Sequence, residues 1–172
     1  MKKKVLITVT LFSAVFSFSQ NSISIGQSSN AYGMIRTSQN QVFVSPSLNV
    51  VGFIFRHNVA LYAQTSADNG RLRYSISTNA GVTWETELGV LNDTYTRKAR
   101  FPESYLYNPI GNTNPTSAYI VWSAPTLPAD FDGLVNGTCE VSTSNPVTTT
   151  ENYQFQNTGT SVPGGLTEST TG

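Results

Sequence analysis

The run Ser-Thr-Asn-Ala-Gly-Val-Thr-Trp at residues 77–84 constrains the fold of this chain more than any other stretch. It follows residues 71–77, where polar and apolar side chains alternate as they do in a half-buried β-strand. Leu72, Tyr74 and Ile76 would share the inner face of that strand. Because the run itself is rich in turn-forming residues, it predicts a tight hairpin whose second strand begins near the end of the run.

Each residue type in this run has a local structural role. The side-chain oxygen of Asn79 is suited to accept backbone N–H groups in an Asx-turn, and Gly81 can adopt a positive φ at little steric cost. Thr83 and Trp84 then begin the returning strand, with the indole ring available to cover the hairpin. A catalytic role for Ser77 or Asn79 is therefore the weaker interpretation.

The run also resembles a known repeat. It fits the pattern Ser-x-Asp-x-Gly-x-Thr-Trp at every specified position but one, where Asn79 stands in place of Asp. This pattern is the Asp-box, or bacterial neuraminidase repeat, of sialidase-like β-propellers, in which the box lies on the rim and away from the ligand face. The resemblance implies that Ser77, Asn79, Gly81, Thr83 and Trp84 are structural residues.

A second resemblance extends over most of the chain. Residues 71–84, 99–102, 107–115 and 118–122 look like a group of uncharacterised secreted flavobacterial propeller proteins. Many of those proteins carry a C-terminal sorting domain for type IX secretion. What the group does is not established by this resemblance.

The first 19 residues have the form of a cleaved signal peptide. Lysines at positions 2–4 precede an uncharged apolar run at 5–18, and Ser17 and Ser19 supply small residues at the −3 and −1 positions before Gln20. The apolar run is shorter than the roughly 20 residues that a membrane span needs. A run of this kind that ends in Ser-Gln resembles secreted proteins of the Bacteroidetes lineage. We therefore expect an extracellular protein, either free or at the cell surface.

Charge and cysteine content exclude several classes of function. Removal of residues 1–19 leaves seven basic and ten acidic residues, a net charge of −3. This balance argues against a nucleic-acid binder and against adhesion to anionic membranes. Cys139 is the only cysteine, so no internal disulfide can form, and we expect a small buried side chain. As a nucleophile it would need His57 as its base, and nothing in the sequence pairs the two.

Short strand-like segments recur along the chain, and no segment after the leader has a helical period. They are rich in β-branched and aromatic residues and lie at 41–45, 50–56, 60–66, 71–77, 82–87, 104–107, 118–123, 138–143 and 152–156. Such a pattern is typical of an all-β sandwich, barrel or propeller, and the Asp-box resemblance selects the propeller.

The length of residues 20–172 limits how much of a propeller this chain contains. A blade takes roughly 40–50 residues and closed propellers have about four to eight blades. We therefore expect a partial β-propeller of about three antiparallel four-stranded blades, an N-terminal fragment whose C-terminal blades are missing. The alternative is a small β-sandwich with a disordered Ser/Thr-rich tail within residues 136–172.

Arg100 is the candidate ligand-binding residue. Sialidases of the resembled family hold the substrate carboxylate with three arginines from different blades, one of them in an Arg-Ile-Pro motif at the start of a blade. Residues 100–102, Arg-Phe-Pro, are similar, but Phe replaces Ile and the motif follows the first box instead of preceding it. The resemblance implies that Arg100 faces the central axis and can grip a carboxylate through two hydrogen bonds. The alternative is an arginine at a strand start that pairs with Glu103 or with solvent.

The sequence assigns no catalytic residues, cofactor or metal. The resembled enzymes use a Tyr nucleophile with a Glu partner and an Asp acid/base, and spacing does not choose among Asp68, Asp93 and Glu103 for any such role. Residues 130–133, Asp-Phe-Asp-Gly, lack the third ligand and the closing Glu of a calcium loop.

The function that the sequence favours is a binding or scaffold module for glycans or other cell-surface partners. Tyr105 and Trp122 are either sugar-stacking rings or core residues. The rival function is the N-terminal part of a sialidase-like glycoside hydrolase. A third interpretation is a structural surface protein with no small ligand.

Overall fold

A computed structural model describes residues 22–29, 39–62, 70–93, 98–126 and 133–155 of the chain. Residues 1–19, the predicted signal peptide, lie outside these ranges. The described residues are all-β, as the sequence predicts, and form two antiparallel four-stranded sheets. Sheet I contains β1 (Val42–Ser45), β2 (Val50–Arg56), β3 (Leu72–Ser77) and β4 (Glu85–Gly89), and sheet II contains β5 (Glu103–Tyr107), β6 (Tyr119–Thr126), β7 (Gly133–Glu140) and β8 (Thr149–Phe155).

Each sheet is a meander, because strands that are neighbours in the sequence are also hydrogen-bonded neighbours in the sheet. The antiparallel four-stranded form is the one expected for a blade. Two such sheets are found among the described residues, where about three were expected, and neither sheet closes on itself or on the other. None of the helices in the described ranges is long or apolar enough to cross a bilayer.

The connection before the second strand is built in the same way in both sheets. A 3-10 turn at Pro46–Leu48 leads into β2, and one at Pro115–Ser117 leads into β6. The fixed φ of proline suits the first position of such a turn. The residue after each turn, Asn49 or Ala118, donates its N–H to the proline carbonyl, at 3.2 and 3.1 Å respectively.

The connection between the third and fourth strands also repeats. Residues 142–149, which join β7 to β8, read Ser-Thr-Ser-Asn-Pro-Val-Thr-Thr and match residues 77–84 at Ser, Thr, Val and Thr. The hydroxyl of Ser77 accepts the N–H of Asn79 at 3.3 Å, and that of Ser142 accepts the N–H of Ser144 at 3.2 Å. The two sheets are therefore related in connectivity, in local geometry and weakly in sequence.

Among the described residues, one hydrophobic cluster draws side chains from both sheets. The inner face predicted for β3 is confirmed, because Leu72, Tyr74 and Ile76 are all 0 % exposed. Trp122 of β6 has the largest fully buried side chain in the described ranges. Apolar side chains from both sheets and from the connections between strands complete the cluster: Phe43, Leu48, Val50, Ile54, Leu88, Leu91, Ala99, Ala118, Ile120, Ala124, Val135, Cys139 and Val141.

The opposite face of β3 is buried too, so the prediction of a half-buried strand is wrong. Ser75 is 0 % exposed, and its hydroxyl donates to the carbonyl of Ile25 in the preceding segment 22–29. In the same segment, a Cβ at Gly26 would lie 2.6 Å from the ring of Phe55 on β2. The segment therefore covers this face and needs glycine at that point to pack against the sheet.

The strand predicted at residues 60–66 is wrong for the part that is described. Val59–Tyr62 form a 3-10 turn, and residues 63–66 lie outside the described ranges. Asn58 supports the turn because its side-chain oxygen accepts the N–H of Ala60 at 3.2 Å. An asparagine bonded to the following backbone in this way competes with strand formation.

One polar contact joins the two sheets across the core. The hydroxyl of Tyr74 donates to the carbonyl of Ser142 at 3.2 Å and accepts the N–H of the same residue at 3.3 Å. Burial raises the pKa of the Tyr74 phenol above its ordinary value of 10.0 and raises the pKa of the Cys139 thiol to about 12. Both groups are therefore held neutral in the folded protein at pH values where the unfolded chain begins to ionise them.

The protein is expected to lose stability in alkali. A folded-state pKa above the unfolded value contributes stability that is complete below the unfolded pKa and disappears as the pH rises through the folded pKa. The free energy of unfolding should therefore fall between pH 9 and pH 12. Urea denaturation at pH 8 and pH 11 measures this, and Tyr74→Phe should show a smaller fall. Equal stability at the two pH values would contradict the prediction.

Candidate functional site

The run at residues 77–84 and Arg100 lie at opposite ends of the sheets. The β2–β3 pairing extends from Val51–Ser77 at one end to Arg56–Leu72 at the other. The β1 start and the β5 start meet at the Arg56 end, where the N–H of Ser104 donates to the carbonyl of Asn40 at 2.8 Å. Arg100 comes just before β5, so it belongs to this second end.

The backbone around Arg100 is fixed by neighbouring strands. Its N–H donates to the carbonyl of Pro125 at 2.9 Å, and Ala99 forms a β-bridge with Thr126. The next residue, Phe101, has a φ of 46° although it precedes a proline, which disfavours such a conformation. Strained backbone of this kind persists only where the surrounding structure holds it, and it is often found at functional sites.

Arg100 lies close enough to a second arginine for the two charges to interact. Arg56, the last residue of β2, is 0 % exposed, and burial, together with the positive charge of Arg100, lowers its pKa to about 10. Burial also lowers the pKa of Arg100, which is half-buried and donates from Nη1 to the carbonyl of Ala99 at 3.0 Å. Two partly desolvated guanidinium groups therefore concentrate positive charge at this end of the sheets.

Glu103, the ion-pair partner that the sequence suggests for Arg100, is the first residue of β5 and is 3 % exposed. It lies at the same end of the sheets as the two arginines. The carboxylate of Glu103 is therefore inside the protein, where a neighbouring cation lowers the cost of burying its charge.

A second polar cluster lies on the outer face of sheet I. The guanidinium carbon of Arg73 lies 3.9 Å from the ring centroid of Tyr62, and its Nε donates to Nδ1 of His57 at 3.3 Å. The rings of His57 and Tyr62 stack with centroids 5.1 Å apart. Arg73 also donates to the carbonyl of Glu87 at 2.8 Å. These contacts pack the ring of Tyr62 against a cation and an aromatic ring.

The structure brings together a Tyr–Glu pair that spacing in the sequence did not reveal. The Tyr62 hydroxyl donates to Oε2 of Glu87 at 2.8 Å, while Oε1 accepts the N–H of Gln27 at 2.9 Å. Burial, and then this hydrogen bond, raise the pKa of Tyr62 to about 12. The phenol is therefore stabilised in its protonated form, which is the opposite of what an activated phenolate nucleophile requires.

The residues at 77–84 satisfy one another within their turn. Oδ1 of Asn79 accepts the N–H of Thr83 at 2.8 Å, and the Ser77 hydroxyl accepts the N–H of Gly81 at 2.8 Å. The indole N–H of Trp84 donates to the carbonyl of Gly81 at 3.2 Å, and Gly81 has a φ of 89°. This network uses the polar groups to close the hairpin.

Other residues singled out in the sequence fall at separate places. Trp122 is in the core and Tyr105 is partly exposed. Asp93 is exposed and lies 4.0 Å from Nη1 of Arg71. Asp68 and residues 130–132 lie outside the described ranges. In the part of the chain that the structure describes, no three His, Cys, Asp or Glu side chains are grouped to hold a metal ion.

Cys139 and His57 do not form a catalytic pair. Cys139 lies opposite Ile120 near the start of β6, whereas His57 follows Arg56 at the other end of the sheets. The thiol is 3 % exposed with a pKa of about 12, so the expectation of a small buried side chain is confirmed.

Comparison of the chain with protein-family models, with curated proteins and with solved structures finds no match.

Proposed function

We propose that the protein is a secreted binding or scaffold module in which sheets I and II are adjacent blades of an Asp-box β-propeller. The repeated connectivity supports this arrangement, because a propeller places four-stranded meanders around a common axis. The first strands of the two sheets, β1 and β5, lie next to each other, as the bond from Ser104 to Asn40 illustrates. Repeats of this kind bury a core between neighbours, and the buried cluster that draws side chains from both sheets supports the proposal.

The ligand that best suits the end of the sheets where β1 and β5 begin is a carboxylated glycan. The observation that carries this proposal is the position of Arg100, whose half-buried side chain lies at the same end of the sheets as Arg56 and whose N–H is held by the carbonyl of Pro125. A bound carboxylate would accept charge-assisted, bidentate hydrogen bonds from the planar guanidinium of Arg100. The half-buried side chain of Arg100 is the more accessible of the two.

A sialidase-like hydrolase is the second candidate, and the Tyr62–Glu87 hydrogen bond is the observation that favours it. Two features weigh against it. The pKa of Tyr62 is raised to about 12, and its ring packs against Arg73 and His57, which are bonded to each other. Binding without turnover therefore accounts for more of the geometry.

Replacing Arg100 by alanine tests the proposed binding site. The variant should bind 3′-sialyllactose at least about tenfold more weakly than the unchanged protein, because a charge-assisted bidentate contact is lost. Arg100→Lys should recover only part of the affinity, since lysine cannot form the fork-like contact. Lys98→Ala removes the same charge nearby and should leave affinity nearly unchanged. Titration calorimetry measures the affinity of the unchanged protein and of the three variants for this ligand.

Two results would overturn parts of this proposal. Unchanged affinity in Arg100→Ala, with the variant still folded, would remove Arg100 from the site. Release of sialic acid from the ligand by the unchanged protein, with loss of that activity in Tyr62→Phe, would replace the binding module by the hydrolase.

A further inference from the structure

A cleft of about 680 Å³ opens at the end of sheet II that lies away from Arg100. It is formed where β6 begins, β7 ends and β8 begins, together with the connection at residues 141–148. Its volume falls within the roughly 300–1,000 Å³ of small-molecule sites. The proposed function assigns no role to this cleft.

The lining of the cleft is rich in hydroxyl groups and poor in charge. Thr116, Thr138, Ser142 and Thr150 contribute side-chain hydroxyls, and Glu140 is the only charged residue among those that the structure places around it. Thr138 and Thr150 are paired, with their hydroxyl oxygens 2.8 Å apart. A hydroxyl that donates within the protein still has lone pairs that accept from a ligand. The lining therefore suits a ligand with many hydroxyl groups and disfavours an anion.

An aromatic pair and a carboxylate meet at one side of the cleft. The hydroxyl of Tyr119 donates to Oε1 of Glu140 at 3.3 Å, a bond that does not involve Oε2 of the same carboxylate. Tyr107 of β5 is the cross-strand partner of Tyr119 on β6, and the centroids of the two rings are 6.4 Å apart. Tyr107 is 57 % exposed, which is high for a large aromatic side chain. Tyr119 lines the cleft beside the exposed carboxylate of Glu140, and the ring of Tyr107, which lies outside the lining, continues the apolar surface of Tyr119.

We propose that this cleft binds a neutral saccharide. A sugar ring has an apolar C–H face that packs on aromatic rings and a rim of hydroxyl groups that seeks acceptors and donors. Tyr119 and Tyr107 supply the apolar surface, and Oε2 of Glu140 accepts charge-assisted hydrogen bonds from sugar hydroxyls. The threonine and serine hydroxyls fix the orientation of the ligand.

This site is separate from the proposed carboxylate site at Arg100. Along β6, Pro125, whose carbonyl bonds to Arg100, lies six positions after Tyr119. At a rise of roughly 3.3 Å per residue this is about 20 Å. The saccharide site therefore goes beyond the proposed function, and each of the two can fail without the other.

The test is binding of the full chain to a panel of neutral hexasaccharides, namely cellohexaose, maltohexaose, mannohexaose and xylohexaose, at millimolar concentration. At least one should bind. Tyr119→Ala and Glu140→Gln should each weaken that binding by about tenfold, as expected for central contacts of an interface. Glu85→Gln removes a similarly exposed carboxylate from β4 of sheet I and should have no effect.

Arg100→Ala should also leave the binding of the neutral saccharide unchanged, which separates this site from the carboxylate site. If Tyr119→Ala does not fold, Tyr107→Ala and Glu140→Gln carry the test, because both of these residues are exposed. Failure of all four hexasaccharides to bind, or binding that survives Glu140→Gln and Tyr107→Ala at full strength, would overturn the proposal.

Discussion

The variant Trp122→Ala is expected to lose about 3–5 kcal/mol in the free energy of unfolding, because large-to-small changes at buried aromatic positions cost this much. Trp122 is 0 % exposed and belongs to the cluster that joins the two sheets. Its removal leaves a cavity between sheets rather than at a surface that can collapse. Domains are typically stable by only about 5–15 kcal/mol, so the loss threatens the fold itself.

Urea denaturation followed by circular dichroism measures this effect. Ile110→Ala is the matched control, since Ile110 is 95 % exposed and its truncation removes almost no buried contact. The expected pattern is a large shift of the unfolding midpoint for Trp122→Ala and almost none for the control. A Trp122→Ala protein that unfolds at the same urea concentration as the unchanged protein, but binds sugar more weakly, would identify Trp122 as a ligand-stacking residue instead.

Local pattern was sufficient to predict most of the strands and one core face. Alternation at residues 71–77 correctly placed Leu72, Tyr74 and Ile76 in the core, because period-two patterns report which side chains face the interior. The hydrogen bonds of Asn79 and the positive φ of Gly81 depend only on nearby backbone, so the sequence could predict them as well. Strand limits were less accurate, as for β7, which is Gly133–Glu140 and not 138–143.

Features that depend on distant parts of the chain were missed. Segment 22–29 buries the outer face of β3 although about 50 residues separate the two in sequence. Asn92 follows β4 in the sequence but is buried beside the start of β3. Its side chain accepts the N–H of Leu72 at 2.7 Å and donates to the carbonyl of Gly70 at 3.0 Å. An asparagine in a polar loop carries no sequence signal for such a role.

The candidate sites also combine features that local sequence predicts with features that depend on distant parts of the chain. Arg100 was found through a motif, whereas its proximity to Arg56 depends on how β2 and β5 come together. The Tyr62–Glu87 bond joins a turn to β4, and the cleft draws residues from three strands. One signal was available and overlooked, namely the partial repeat of residues 77–84 at 142–149, which comparison of the chain with itself reveals.

The variant Gly137→Ala should destabilise the protein by about 1–3 kcal/mol, the usual cost of forcing extra atoms into a packed interior. A Cβ at this position would overlap the carbonyl oxygen of Thr150 on β8 and lie 2.6 Å from Cζ2 of Trp122 on β6. The indole is held in the core and the carbonyl belongs to the backbone, so neither can rotate away. The strand β8 must therefore move, which weakens its pairing with β7 and opens the cleft at Thr150.

Hydrogen exchange of β8 amides and the thermal midpoint both measure this displacement, with faster exchange and a lower midpoint expected. Gly111→Asn is the control, because Gly111 has a φ of 78° with open space around it, and asparagine tolerates that conformation better than other residues with side chains. The control also separates a steric effect from a general cost of replacing glycine. Normal protection of β8 amides in Gly137→Ala would contradict this prediction, because it would mean that β7 and β8 are not packed as closely as the contact with Trp122 requires.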